Sequence, residues 1–80
     1  MNDLLMNIDK IHTTTKGLER IKKNLEIDSQ DIVAWLKAKI NENTMMFRKG
    51  KNWYVSFDEY SFTINASSYT IITAHLNHGY

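Results

Sequence analysis

Residues 44–76, TMMFRKGKNWYVSFDEYSFTINASSYTIITAHL, decide the fold because they carry the period-two alternation that is typical of β-strands. They are also rich in aromatic and β-branched side chains, which favour strands. The alternation predicts four strands, at 44–49, 53–57, 60–66 and 69–76. The breaks between them, GKN, DE and SS, are short enough for hairpins. We therefore expect an antiparallel meander sheet.

The residues before this sheet predict three amphipathic helices. Apolar side chains recur at helical spacing over 3–11, at Leu18, Ile21 and Leu25, and again over 32–40. The threonines at 13–15 can cap the second helix, and Asp28 and Asp31 resemble a capping box for the third. Three helices followed by four strands predict an α+β architecture, with the helices packed on one face of the sheet.

Composition restricts the chain to one small domain. Eighty residues, 42% hydrophobic and 24% charged, form a single unit over 1–80, with a helical part at 1–43 and a sheet part at 44–80. So small a core favours a further stabilising partner, such as a second copy in a homodimer. The absence of Cys excludes a disulfide framework, and the absence of a long apolar run predicts a cytoplasmic protein that binds no membrane. The three histidines lack metal-ligand spacing, so neither a metal nor a cofactor is expected.

Strand alternation sorts the sheet residues into two faces. The face predicted to meet the helices holds Trp53, Val55, Phe57, Phe62, Ile64, Ala66, Ile72, Ala74 and Leu76. The opposite positions are Tyr54, Ser56, Ser61, Thr63, Asn65, Tyr69, Ile71, Thr73 and His75. If Phe47 packs inward, Arg48 joins this polar side. Such a face is either the solvated side of the sheet or a functional surface.

A few polar side chains have chemistry that a functional surface could use. His75 can take or give a proton near neutral pH. Arg48, Lys49 and Lys51 in RKGK form either a solvated turn or a phosphate-binding cluster. Tyr54 is a sheet-surface aromatic, a base-stacking platform or a proton-transfer group.

Three stretches, HTTTKGLERIKKNL (12–25), RKGKNWYV (48–55) and TINASSYTIITAH (63–75), resemble a family of small uncharacterised bacterial proteins, a domain of unknown function. A more distant similarity is to the RelE and BrnT toxins. These belong to the barnase, EndoU, colicin and RelE-like nuclease group, whose members set N-terminal helices against a meander sheet. BrnT-like proteins end in a strand that resembles TIITAH, at 70–75.

The toxin resemblance implies a small metal-independent endoribonuclease that uses the polar sheet face, with RNA and an antitoxin as partners. It implies His75 as acid or base, Arg48 as phosphate clamp and Tyr54 as an auxiliary catalytic residue. The substrate-binding residues it implies are Lys49, Lys51, Asn65 and Thr73. The net charge of +1 departs from the basic character of such toxins, because phosphate neutralisation dominates nucleic-acid affinity.

The alternative is a non-catalytic binding protein of phage or mobile-element origin that inhibits a host protein such as a defence nuclease. Short length, balanced charge and several aromatic side chains favour it, because interface centres are rich in aromatics. The aromatics expected at the surface are Trp35, Tyr54, Tyr60, Tyr69 and Tyr80. Trp35 can equally be a core residue. A third possibility is a structural homodimer whose polar face is only hydrated.

Overall fold

Helices precede a four-stranded sheet along the chain. The computed structural model describes residues 3–27 and 31–76. Within them lie α1 (Asp3–Met6), a 3₁₀-helix (Ile8–Lys10), α2 (Thr15–Leu25) and α3 (Ile32–Lys39), followed by β1 (Met45–Lys49), β2 (Asn52–Phe57), β3 (Tyr60–Asn65) and β4 (Ile71–Leu76). The sheet order is β1-β2-β3-β4, and every neighbouring pair is antiparallel. The predicted α+β class and meander sheet are confirmed.

The first predicted helix is shorter than its apolar spacing suggests. Instead of one helix over 3–11, α1 ends at Met6 and a 3₁₀-helix follows. Asn7 lies at the break, where its side-chain amide donates to the Asp3 carbonyl oxygen at 2.8 Å. Asn side chains compete in this way with the backbone of a continuing helix, which makes them poor in helix interiors.

Side-chain caps begin the other two helices. The Thr14 hydroxyl accepts from the Gly17 N–H at 3.0 Å and starts α2, so the predicted capping by the threonine run is confirmed. Asp31 caps α3 by accepting from the Ala34 N–H at 3.0 Å. Asp28, the other member of the predicted capping box, lies outside the described residues.

The β1–β2 hairpin sets the register that matters most for function. Its turn contains only Gly50 and Lys51, because Lys49 pairs with Asn52, whereas the sequence suggested a three-residue turn. Gly50 supplies the left-handed backbone that such a turn needs, at φ 62°. With this register Phe47 pairs with Tyr54, and Arg48 pairs with Trp53.

A bulge shifts the faces at the start of β4. Thr63 pairs with Thr73, but Ile64 pairs with Ile71, so β4 has one extra residue at this point. Ile71 is consequently buried and Ile72 is 53% exposed. The alternation placed Ile72 on the face that meets the helices and Ile71 on the opposite face, because strict alternation takes no account of a bulge.

One face of the sheet belongs to the hydrophobic core, and we call it the first face. It includes Trp53, Val55, Phe62, Ile64 and Ala74, which form one cluster with buried residues of the helical part. The helical members are Leu4, Ile11, Ile21, Leu25, Ile32, Leu36 and Ile40. Trp35 packs against this cluster, with ring centroids 5.1 Å from Tyr60 and 5.7 Å from Phe57. Of its two predicted roles, core packing is the one observed.

Hydrogen bonds help to attach the helical part to β4 and the residues just before it. The Asn24 side-chain amide of α2 donates to the Ala74 carbonyl oxygen at 3.2 Å. His12 forms a parallel bridge with Thr70, in which the Ile71 N–H donates to the His12 carbonyl oxygen at 2.8 Å. None of the helices in the described ranges is long and apolar enough to cross a bilayer.

Candidate functional site

The second face of the sheet presents three rows of side chains. We define it by the residues that alternate with the first face, since cross-strand partners share a face. Its three rows across the strands are Met45, Ser56, Ser61 and His75; then Phe47, Tyr54, Thr63 and Thr73; then Lys49, Asn52 and Asn65. None of these residues is buried. The predicted polar face therefore exists, with two apolar side chains added on β1.

Phe47 and Tyr54 form a stacked pair on this second face. Their ring centroids lie 5.3 Å apart with the planes inclined by 21°. Phe47 is 55% exposed, so the inward Phe47 on which the placement of Arg48 depended is not observed. The reason is the two-residue hairpin turn, which places Phe47 opposite Tyr54. In such a pair each ring covers one face of the other, so the outer ring faces are the ones left for another π-system.

Basic residues collect at one end of the sheet. Lys49 lies on the second face, two positions along β1 from Phe47, and Lys51 follows in the turn. The β3–β4 turn lies at the same end, because the Ala66 N–H donates to the Lys51 carbonyl oxygen at 2.8 Å. The acidic residues of the strand turns, Asp58 and Glu59, lie in the β2–β3 turn at the opposite end. The sheet is thus electrostatically polarised although the chain is nearly neutral.

Arg48 lies on the other side of the sheet from these groups. It pairs with Trp53 on the first face, and its Nε donates to the Gly50 carbonyl oxygen at 3.1 Å. The expected placement of Arg48 beside Tyr54 and His75 is therefore wrong. It depended on an inward Phe47, and the register of the hairpin reverses both residues together.

His75 and Tyr54 share the second face but do not meet. They are separated by two strand spacings and one row, which amounts to about 12 Å between Cα atoms. The Tyr54 ring stacks on β1, on the side away from β4. His75 is exposed, and its Nε2 lies 3.2 Å from the Thr73 hydroxyl. Of the predicted site residues, the structure brings His75 together with Thr73.

Asn65 is committed to the β3–β4 turn. Its side-chain oxygen accepts from the N–H groups of Ser67 and Ser68, both at 2.9 Å. An Asn that caps a turn in this way stabilises the loop backbone. The role that the structure gives Asn65 is to shape this turn, whereas its expected part in orienting a phosphate stays a prediction.

A polar network that no sequence pattern indicated joins this turn to the N-terminal segment. The His12 Nδ1 donates to the Lys10 carbonyl oxygen at 2.8 Å, because a carbonyl oxygen can only accept. The Thr70 hydroxyl lies 3.2 Å from the His12 Nε2, and the Ser68 hydroxyl lies 2.8 Å from that of Thr70. These contacts span 58 residues, and no local pattern predicts them.

The chain belongs to the family described as "Protein of unknown function (DUF3781)", whose model matches residues 5–75. The predicted membership in a family of unknown function is confirmed, and the RelE and BrnT similarity stays a prediction. No curated protein and no solved structure matches the chain.

Proposed function

We propose that the second face of the sheet binds single-stranded RNA. The observation that carries this proposal is the stack of the exposed Phe47 on the half-buried Tyr54, which lies on the same face as Lys49 and one row from it. Sheets that bind single strands combine aromatic side chains for the bases with cations for the backbone. In this chain the aromatic pair and the cation of Lys49 lie on neighbouring rows of the second face.

The proposal takes the three helices to pack against the first face alone. The first-face residues of β2 and β3 form a cluster with buried residues of α2 and α3, which supports this arrangement. The second face is then free to receive a strand of RNA across all four strands.

Stacking supplies the largest expected contribution to affinity. Base stacking on an aromatic side chain is worth about 1–3 kcal/mol per base. Phe47 and Tyr54 already stack on each other, so their rings are held in place before the ligand arrives. Little side-chain entropy is then lost on binding, because the pair is preorganised.

Phosphate contacts supply a smaller and salt-sensitive contribution. Lys49 and Lys51 are exposed; Lys49 lies two positions along β1 from Phe47, and Lys51 lies in the turn that follows. If each neutralises one phosphate, the logarithm of the affinity should fall against the logarithm of salt concentration with a slope of about −1.4. So shallow a slope suits a chain with a net charge of only +1.

Fluorescence anisotropy with a labelled, unstructured RNA oligonucleotide tests the proposal. Tyr54→Ala should weaken binding by about 5- to 100-fold, whereas Tyr54→Phe should retain it because the stacking ring remains. Lys49→Gln should weaken binding and reduce the salt slope by about 0.7. Lys23→Gln is the matched control, since Lys23 is exposed and lies on α2 rather than on the sheet.

Two results would contradict RNA binding at this face. The first is equal affinity for Tyr54→Ala and the unsubstituted protein. The second is equal weakening by Lys49→Gln and Lys23→Gln, which would indicate a nonspecific electrostatic attraction rather than a surface.

Cleavage of the bound RNA, as expected of a RelE-like or BrnT-like toxin, is a second proposal on the same face. The exposed imidazole of His75 supports it, because a general acid or base needs access to the substrate. RNA incubated with the protein and a chelator should then be cut, and His75→Ala should abolish cutting. Ile72→Ala, an exposed change on the same strand, is the control. Cutting that persists in His75→Ala removes the imidazole from the mechanism.

A protein partner is the other candidate, and the exposed apolar side chains of β1 favour it. Met45 is 71% exposed and Phe47 is 55% exposed, which suits an interface better than open solvent. Such a partner would be an antitoxin or an inhibited host protein. If RNA binding is absent at low salt, while Phe47→Ala abolishes capture of one stoichiometric protein from the host, this candidate replaces the first.

A further inference from the structure

The two edges of the sheet differ in what lies beside them. At β4, α2 lies alongside, and Asn24 donates to the outward-facing Ala74 carbonyl oxygen. At the other edge lies β1, whose residues are all exposed except the half-buried Met46. An exposed edge strand with large apolar side chains is a template for pairing with another strand.

The hairpin determines which backbone groups of β1 point outward. Lys49 and Asn52 flank a two-residue turn, so they form a hydrogen-bonded pair. Backbone direction alternates along an antiparallel strand, so Phe47 also bonds toward β2. The N–H and C=O groups of Met46 and Arg48 therefore point away from the sheet.

We propose that β1 pairs antiparallel with β1 of a second copy of this chain, with each Phe47 opposite its counterpart. In this register Met46 of one copy faces Arg48 of the other, and each such pair exchanges both of its N–H···O bonds. Phe47 then occupies a non-hydrogen-bonded position, where cross-strand side chains come closest. The β1 strands of the two copies would therefore satisfy each other's outward N–H and C=O groups.

Charge favours this register over the one centred on Arg48. The sequence of β1 is MMFRK, so both cations lie at one end of the strand. Antiparallel pairing about Phe47 sets Arg48 against Met46 and Lys49 against Met45, and the methionines cover the aliphatic stems of the cations. A shift by one residue in each copy toward the turn places Arg48 opposite Arg48, which is destabilising. Pairing about Phe47 avoids this repulsion.

Such a dimer would extend the second face across eight strands. A continuous antiparallel sheet keeps the same face on the same side, so the rings would follow one another as Tyr54, Phe47, Phe47 and Tyr54. This longer aromatic row matters for RNA only if the proposed function holds, whereas the dimer itself does not depend on it.

Disulfide trapping tests the register directly, because the chain contains no Cys. Cα atoms of a non-hydrogen-bonded antiparallel pair lie about 4.5 Å apart, within the range of about 4.4–6.8 Å that a disulfide spans. Phe47→Cys should give a covalent dimer under mild oxidation. Ile72→Cys, equally exposed but on β4, should not. Equal crosslinking of both variants, or none in Phe47→Cys, would overturn the proposed register.

Sedimentation equilibrium tests the dimer without a cysteine. The unsubstituted protein should associate reversibly, and Met46→Pro should raise the dissociation constant at least about tenfold, because it removes an outward N–H. Circular dichroism should show that Met46→Pro retains its fold, since this N–H has no partner in the isolated sheet. Phe47→Glu should also prevent association, because it sets like charges face to face. A monomeric unsubstituted protein, or a dimer that both variants leave unchanged, would overturn the proposal. If the protein is monomeric but still binds RNA, the dimer is refuted while the proposed function stands.

Discussion

Gly17→Ala should destabilise this protein although Ala is the better helix former. In a helix interior Ala is favoured over Gly by up to about 1 kcal/mol. At Gly17, however, a Cβ would overlap the hydroxyl oxygen of Thr13 and lie 3.1 Å from that of Thr14. Overpacking costs about 1–3 kcal/mol, and displacing the Thr14 hydroxyl removes a helix cap worth about 1 kcal/mol. We expect the free energy of unfolding to fall by about 1–3 kcal/mol in total.

The same contacts provide a test of the cause. The Thr13 hydroxyl is buried and has no hydrogen-bond partner within residues 3–27 and 31–76, so Thr13→Ala should change stability little. In that background Gly17→Ala no longer meets the hydroxyl, and its penalty should shrink by at least about 1 kcal/mol. Urea unfolding followed by tryptophan fluorescence measures all four proteins, with Lys16→Ala as an exposed neighbouring control. Additive effects of Thr13→Ala and Gly17→Ala, or a Gly17→Ala variant as stable as the parent, would refute the reasoning.

Substitutions at three further positions test the turns and a helix cap by the same unfolding assay. Gly50→Ala should lower the free energy of unfolding by about 1–2 kcal/mol, because φ is 62° in the β1–β2 turn; a neutral result would mean that the turn adopts another backbone. Asn65→Ala should lower it by about 1–2 kcal/mol, whereas Asn65→Asp should retain most of the stability because the accepting oxygen remains; equal losses would contradict a capping role. Asp31→Ala should lower it by about 1 kcal/mol through loss of the α3 cap, and Asp31→Ser should restore most of the difference.

The sequence predicted the elements well because each one carries its own local signal. Leu18, Ile21 and Leu25 recur at helical spacing, and the threonines before them cap α2 as expected. The sheet residues alternate cleanly over β2 and β3, where Trp53, Val55, Phe62 and Ile64 are buried as predicted. A helix stripe or a strand alternation depends only on near neighbours in the chain, so it can be recognised without the fold.

The register of the sheet was harder to predict because it depends on turn length and bulges. One residue fewer in the β1–β2 turn turned Phe47 outward and moved Arg48 away from the proposed site. One residue more in β4 exchanged the environments of Ile71 and Ile72. The pair GK in RKGKNW was the available clue, since Gly favours two-residue hairpin turns. A three-residue turn GKN would put Phe47 and Tyr54 on opposite faces of the sheet, so it did not predict the aromatic stack.

Strand β1 takes part in both of the proposed interactions. It contacts the sheet on one side only and is the least buried strand, so its position is held mainly by β2. Its exposed Phe47 ring is stabilised by Tyr54, and its outward backbone groups would be satisfied by a second copy. Both proposed interactions bury surface that the small core leaves open, one on the face and one at the edge. They do not compete, because pairing at the edge lies in the plane of the sheet and a ligand on the face lies above it.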